Sequence, residues 1–392
     1  MHSVDGTHIS KSETHQIGLA LSGGGSRAIA FHLGCLRALN DLGILARVNV
    51  VSTISGGSVI GAYYAYMPSL SFPEFASHIE GFLSNGFHRS IAFELLKPWN
   101  FVRCGSNFLA AKICGLVSAC SGQQPLLPRS LSRTDMFEAV LQRTVFPNLK
   151  LGSPRTSNLQ IVIGACELRT GSAFRFGNVK SGSWRLGELV DQHVDVSFAV
   201  AASAAYPIFL PAFDRKMTFR KNNMAQEARV LITDGGVYDN LGVQVLEPGR
   251  DPKVSLHSFP CDYIIACNAG HGQDSGDKIP VGFIPRVSRA FEIVHRRVQD
   301  SAMHRLHHLR QVGAIKGFAL PYLGQQDHLL PSCPADLIPR SEVIAYPTDF
   351  APMPTKWIDK LSERGEQLTR LLAREYLSDL IPAKGKGIGE VN

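Results

Sequence analysis

Three short segments carry groups suited to acyl transfer: Thr53-Ile54-Ser55-Gly56-Gly57, Ser22-Gly23-Gly24-Gly25-Ser26-Arg27 and Asp234-Gly235-Gly236. Cleaving an ester needs an uncovered nucleophile, a base to take its proton, and donors aimed at the developing oxyanion. Ser55 lies between an apolar run and a helical pattern, among small neighbours, which is the setting of a nucleophile elbow. Thr53 stands where that pattern usually has its first glycine. The same residues also read as a Gly/Ser turn closing a strand, with Ser58 as a helix cap.

Gly23, Gly24 and Gly25 open a helical pattern, so their backbone N–H groups can converge on an oxyanion or a phosphate. The run is not a Walker loop, because no Gly-Lys-Ser/Thr follows, and it lacks the spacing of a dinucleotide site. Asp234 ends an apolar run and is followed by two glycines that leave its carboxylate little covered. An ordinary carboxylate is a weak base, so this role requires partial desolvation to raise its pKa. A simple turn is the other reading of Asp-Gly-Gly. His271, just past another apolar run, and His32, after the glycine loop, are the alternative bases of a Ser-His-Asp triad.

The elements that must position these groups are short apolar runs ending at polar or glycine-rich turns: Ile17–Leu21, Val48–Ser52, Leu159–Ala165, Arg229–Thr233 and Tyr263–Cys267. Such runs read as parallel strands of an α/β sheet, whose chemistry collects at the carboxyl ends of the strands. Helical faces follow the first two, carried by Phe31, Cys35 and Leu39 and by Val59–Tyr66. Phe72–Gln123 mixes Phe82, Phe87, Phe93, Trp99, Phe101 and Phe108 with basic residues, as an interfacial lid would. Near the end, Trp357, Leu361, Leu368, Leu371, Leu372 and Tyr376 mark a helix with a core-facing stripe.

The chain has 392 residues, 44% hydrophobic and 19% charged, enough for one large core with insertions. Its net charge of +7 favours an anionic partner such as a phospholipid surface, but the basic residues are scattered. Apart from Arg296-Arg297 and the stretch to Arg310 they form no patch, which argues against nucleic acid. None of the eight cysteines pairs at zinc-knuckle or redox-loop spacing, so they read as reduced, buried residues. Met1–Gln16 lacks the apolar core of a secretory signal, and no run is long enough to span a bilayer. A cytoplasmic protein with peripheral membrane contact is expected, with export that needs no signal left open. The sequence carries no signature of an oligomeric state.

Together the segments resemble the patatin-like phospholipase family. LSGGGSRAIAFHLGCLRAL (Leu21–Leu39) is similar to its glycine-rich block, TISGGSVIGAYYA (Thr53–Ala65) to its elbow, and ITDGGVYDNLGV (Ile232–Val243) to its aspartate block. AVAASAAYPIFLPAF (Ala199–Phe213) resembles the helix and proline turn before the aspartate, and Pro347–Phe350 is similar to bacterial members. The resemblance implies a three-layer α/β/α core with a mostly parallel central sheet, a helical insertion and a C-terminal helical extension. It divides the chain into a tail (1–16), a catalytic domain (17–320, with 72–123 as a lid or membrane-docking insertion) and an extension (321–392).

It further implies Ser55 as nucleophile, Asp234 as base, Gly23, Gly24 and Gly25 as the oxyanion hole, and no metal or cofactor. Arg27 follows the glycine run, where it can hold the loop, meet a substrate phosphate, or pair within the protein. Three functions are then open: a lipid acyl hydrolase acting at a membrane on phospholipid or related esters, a soluble esterase or thioesterase with the same dyad, and a non-catalytic lipid-binding relative.

Overall fold

The computed structural model describes residues 15–67, 70–86, 132–207, 209–251, 253–272, 276 and 279–382. Residues 87–123 of the expected lid and most of the expected tail lie outside them. The described strands are β1 (Ile17–Leu21), β2 (Val50–Ile54), β3 (Gln160–Glu167), β4 (Ser172–Gly177), β5 (Gly182–Ser183), β6 (Gly187–Leu189), β7 (Phe213–Lys221), β8 (Met224–Asp234), β9 (Tyr263–Cys267) and β10 (Gly317–Ala319). The described helices are α1 (Gly25–Asp41), α2 (Gly56–Tyr66), α3 (Phe72–Asn85), α4 (Arg133–Thr144), α5 (Val196–Ser203), α6 (Gly236–Asp239), α7 (Phe283–Gln311), α8 (Arg340–Val343) and α9 (Thr355–Tyr376).

The strands form one sheet in the order β10-β9-β1-β2-β3-β4-β5-β6-β7-β8, with β8 also pairing with β3. From β10 to β3 every pairing is parallel; beyond β3 every pairing is antiparallel. The expected parallel α/β core is therefore present, with an antiparallel extension. Arg229–Thr233, which reads as one more parallel strand, is the end of β8 and runs against both β3 and β7. The cause is local: Asn222 and Asn223 both have positive φ, 50° and 63°, and make a two-residue hairpin between Lys221 and Met224.

Side chains of the parallel strands alternate between two apolar layers, as the pleat requires. Ile17, Leu19 and Leu21 of β1 enter the layer containing Phe31, Ile60 and Leu368, from α1, α2 and α9. Ala20 enters the opposite layer with Leu246, Ala302 and Leu306, the last two from α7. This gives the α/β/α sandwich.

Two glycines let α1 and α9 meet almost backbone to backbone. A Cβ on Gly34 would lie 1.7 Å from the Ser362 carbonyl oxygen, and one on Gly365 would lie 2.2 Å from that of Phe31. Of the expected α9 stripe, Leu361, Leu368 and Leu372 are buried, joined by Ile358, whereas Tyr376 is exposed.

Candidate active site

Ser55 follows β2 and precedes α2, at φ 51° and ψ −120°, a conformation an L-residue takes only when its surroundings impose it. The surroundings are close packed. A Cβ on Gly56 would stand 2.2 Å from the Gly25 carbonyl oxygen, and one on Gly57 would stand 2.3 Å from that of Leu21. Thr53, the departure from the glycine pattern, is buried, and its hydroxyl donates to the Val162 carbonyl at 3.4 Å.

Ser55 and Asp234 are joined by a hydrogen bond, Oγ donating to Oδ2 at 2.8 Å. The edge of β3 brings them together. Ile54, the last residue of β2, pairs opposite Gly164, and Asp234, the last residue of β8, pairs opposite Ala165. The parallel and antiparallel neighbours of β3 thus end head to head at consecutive positions. Gly235 turns the chain away within van der Waals reach of β3, since a Cβ there would lie 2.3 Å from the Gly164 oxygen.

Burial raises the Asp234 carboxyl from its ordinary 3.8 to about 7, opposed in part by hydrogen bonds from Ser55 and from the Gly236 amide. The Gly236 N–H reaches Oδ1 at 2.6 Å, which leaves Oδ2 to the serine. A carboxyl raised this far would be the stronger base that general-base chemistry near neutral pH requires.

The glycine loop lies against the elbow, at φ 146° for Gly24 and 60° for Gly25. Its three amides are not equivalent. The Gly23 N–H donates to the Asn240 carbonyl at 3.1 Å, so it is engaged within the protein. Among the described residues the Gly24 and Gly25 amides have no acceptor.

Arg27 is buried and turned away from solvent. Its Nε donates to the Ala269 carbonyl at 3.0 Å and its Nη1 to that of Tyr346 at 3.1 Å. Burial lowers its pKa to about 9, with Tyr322 and Asp349 opposing. It ties the glycine loop to the segment after β9 and to the C-terminal region. The latter also reaches the loop through the Asp349 carbonyl, which accepts the Ser26 amide at 2.7 Å.

Neither expected histidine reaches the serine: among the described residues the Ser55 hydroxyl is bonded to Asp234 and to no imidazole. His32 Nε2 lies 3.0 Å from the Ser22 carbonyl, and His271 Nε2 lies 3.5 Å from the Thr348 hydroxyl. Of the two arrangements read from the sequence, the structure brings together the Ser55/Asp234 pair and not the histidine alternative, because β8 rather than a histidine loop ends beside Ser55.

The sequence reading missed Ser203. Its hydroxyl accepts the Ser55 N–H at 2.9 Å, contacts the Ser58 hydroxyl at 2.8 Å and donates to the Gly164 carbonyl at 2.6 Å. With its one proton given to Gly164, Ser58 must be the donor to Ser203. A polar residue at the end of the alanine-rich α5 was the available signal. One metal-capable cluster occurs among the described residues: His32, Cys35 and Cys267, all buried, with one donor atom each within 4.8 Å of the others. It lies behind the glycine loop and offers no contact with Ser55. No helix of the described residues is long and apolar enough to cross a membrane.

A parallel sheet core with an antiparallel extension, carrying a serine at one strand end and an aspartate at another, defines a mixed-sheet α/β protein. The sequence profile described as "Patatin-like phospholipase" matches residues 19–246, more than half of the chain. The chain belongs to the patatin-like phospholipase family. No curated protein matches.

Among solved structures, human GIVD cytosolic phospholipase A2 is similar at 13% identity and TM-score 0.53, over 94% of this chain and 62% of that one. The same enzyme in complex with methyl gamma-linolenyl fluorophosphonate gives 13% identity and TM-score 0.51, over 94% and 59%. VipD from Legionella pneumophila is similar at 15% identity and TM-score 0.38, over 93% and 67%. The chain spans about 62% of the length of the first of these.

Proposed function

We propose that the protein is a lipid hydrolase that cleaves carboxylic esters of phospholipids or related lipids through a Ser55 acyl-enzyme. The observation that carries this is the 2.8 Å Ser55–Asp234 hydrogen bond within a desolvated carboxylate site. Asp234 Oδ2 takes the hydroxyl proton as Ser55 Oγ attacks the ester carbonyl carbon. The Gly24 and Gly25 amides receive the oxyanion, placed where charge develops rather than where the substrate carries it. The tetrahedral intermediate collapses, the proton passes from Asp234 to the departing alcohol or lysolipid oxygen, and the acyl group stays on Ser55. Water then gives its proton to Asp234, attacks the acyl carbon and regenerates the serine.

A lipid substrate is supported by family membership.

The test is labelling with a lipid-chain fluorophosphonate, followed by release of fatty acid from mixed phospholipid vesicles. Wild type should be labelled at Ser55 and should release fatty acid; Ser55→Ala should do neither. Labelling at another serine, or undiminished hydrolysis by Ser55→Ala, would overturn the assignment.

A further inference from the structure

Helix α7, one continuous helix, meets different surroundings along its length. Its C-terminal half buries Ala302 and Leu306 against the sheet, as an amphipathic helix should. Its N-terminal half carries a second apolar stripe at helical spacing, Phe283, Val287, Val294 and Val298, that faces outward. Phe283 is 80%, Val287 52% and Val294 63% exposed. Ile279 and Val281 just before the helix, and Phe209, are also exposed. A contiguous apolar face of this kind marks an interaction surface rather than ordinary surface composition.

The patch borders the active site. The Phe291 ring lies 6.1 Å from that of Tyr206, and the Phe209 ring lies 5.9 Å from it. Ala205, next to Tyr206, accepts the Asp234 amide at 3.1 Å. Whatever covers the patch is therefore held beside the turn that carries the Asp234 backbone.

The charge pattern identifies the partner. From Phe283 to Val298 the helix has four arginines, Arg286, Arg289, Arg296 and Arg297, against one acid, Glu292, which pairs with Arg289 at 3.1 Å. Arg286 and Arg297 are exposed. A two-fold contact between copies of this chain would set this arginine-rich face against itself. An acidic headgroup layer over an apolar interior complements both features at once.

We propose that the outward face of the first half of α7, with Ile279, Val281 and Phe209, is the surface on which the protein beds into an anionic lipid interface. Sequence reasoning placed membrane docking in Phe72–Gln123; this assignment moves it to a helix beside Tyr206. The purpose of the contact rests on the lipid hydrolase reading, but the contact itself is testable without catalysis.

The full chain carrying Ser55→Ala would be sedimented with large vesicles of mixed phosphatidylglycerol and phosphatidylcholine, and with phosphatidylcholine alone. Adding Val287→Asp with Val294→Asp should weaken partitioning about tenfold or more on either vesicle. Adding Arg286→Glu with Arg297→Glu should weaken it on the anionic vesicles only. In otherwise wild-type protein both pairs should leave turnover of a soluble short-chain ester unchanged while vesicle turnover falls in step with binding.

Unchanged partitioning in the valine pair, an absence of vesicle binding by the parent, or a parent dimer that the valine pair converts to monomer in light scattering would each overturn the proposal. Binding lost in the valine pair, together with no esterase activity in the wild type, would leave the docking surface standing and refute the hydrolase reading instead.

Discussion

The Ser203 hydroxyl holds the backbone N–H of Ser55 at 2.9 Å while donating its own proton to Gly164, the residue paired with Ile54. The positive φ of Ser55 is thereby fastened to the strand that aligns it with Asp234. Ser203→Ala leaves the Ser55 amide buried without its acceptor, a loss of about 1–3 kcal/mol. We expect kcat to fall about ten- to hundredfold with KM little changed, because the elbow relaxes while the surfaces away from it keep their packing. Steady-state kinetics beside an unfolding curve separates this positioning role from simple destabilisation: an equal loss of stability with intact kcat would contradict it.

The buried Asp234 carboxyl, at about 7, must be ionised to accept the serine proton. The rate at subsaturating substrate should therefore rise with pH through about 7 and then level. An inflection near the ordinary value for an aspartate would mean that the site is wet.

The same shift sets a stability trend. A raised carboxyl pKa means that the folded chain holds the proton more tightly, so stability falls as pH rises between the ordinary 3.8 and about 7. Asp234→Asn removes the effect. Relative to wild type, the variant should gain roughly 3 kcal/mol between about pH 5 and about pH 8, measurable by urea titration.

Gly56→Ala puts a methyl 2.2 Å from the Gly25 carbonyl oxygen, which must shift the glycine loop. Turnover should drop by about a hundredfold or more as the proposed oxyanion donors move. Gly81→Ala, on α3 with nothing within 4 Å of the added carbon, is the control and should be neutral or stabilising by up to about 1 kcal/mol. Equal activities in the two variants would refute the close-packing argument.

Arg27 joins two carbonyls that no lysine can span in the same geometry. Arg27→Lys should lower the unfolding midpoint and depress kcat on lipid and on a soluble ester alike. A rise in KM confined to phospholipids, with unchanged stability, would instead assign Arg27 to the substrate phosphate.

Much of the site was legible from local chemistry. Gly-rich turns at the ends of apolar runs marked Ser55, the glycine loop and Asp234, because tight turns and exposed nucleophiles require small residues wherever the chain goes. Strand identities followed from the same apolar runs, and β1 and β9 have the bounds expected for them. The sequence could not reveal the direction of β8, because a short apolar run reads alike in a parallel and an antiparallel neighbour; the positive-φ Asn222-Asn223 turn decided it. Nor could it reveal that Asn240 would occupy the Gly23 amide, that Ser203 would brace Ser55, or that Arg27 would point at carbonyls.

Those outcomes are contacts between residues far apart in the chain, fixed by strand register and helix docking. Residue types determined which chemistry was available, since reactivity belongs to the side chain and turn geometry to its immediate neighbours. Only the tertiary structure decided which groups share a proton, because that depends on β2 and β8 ending at adjacent positions along β3 and on the burial that follows.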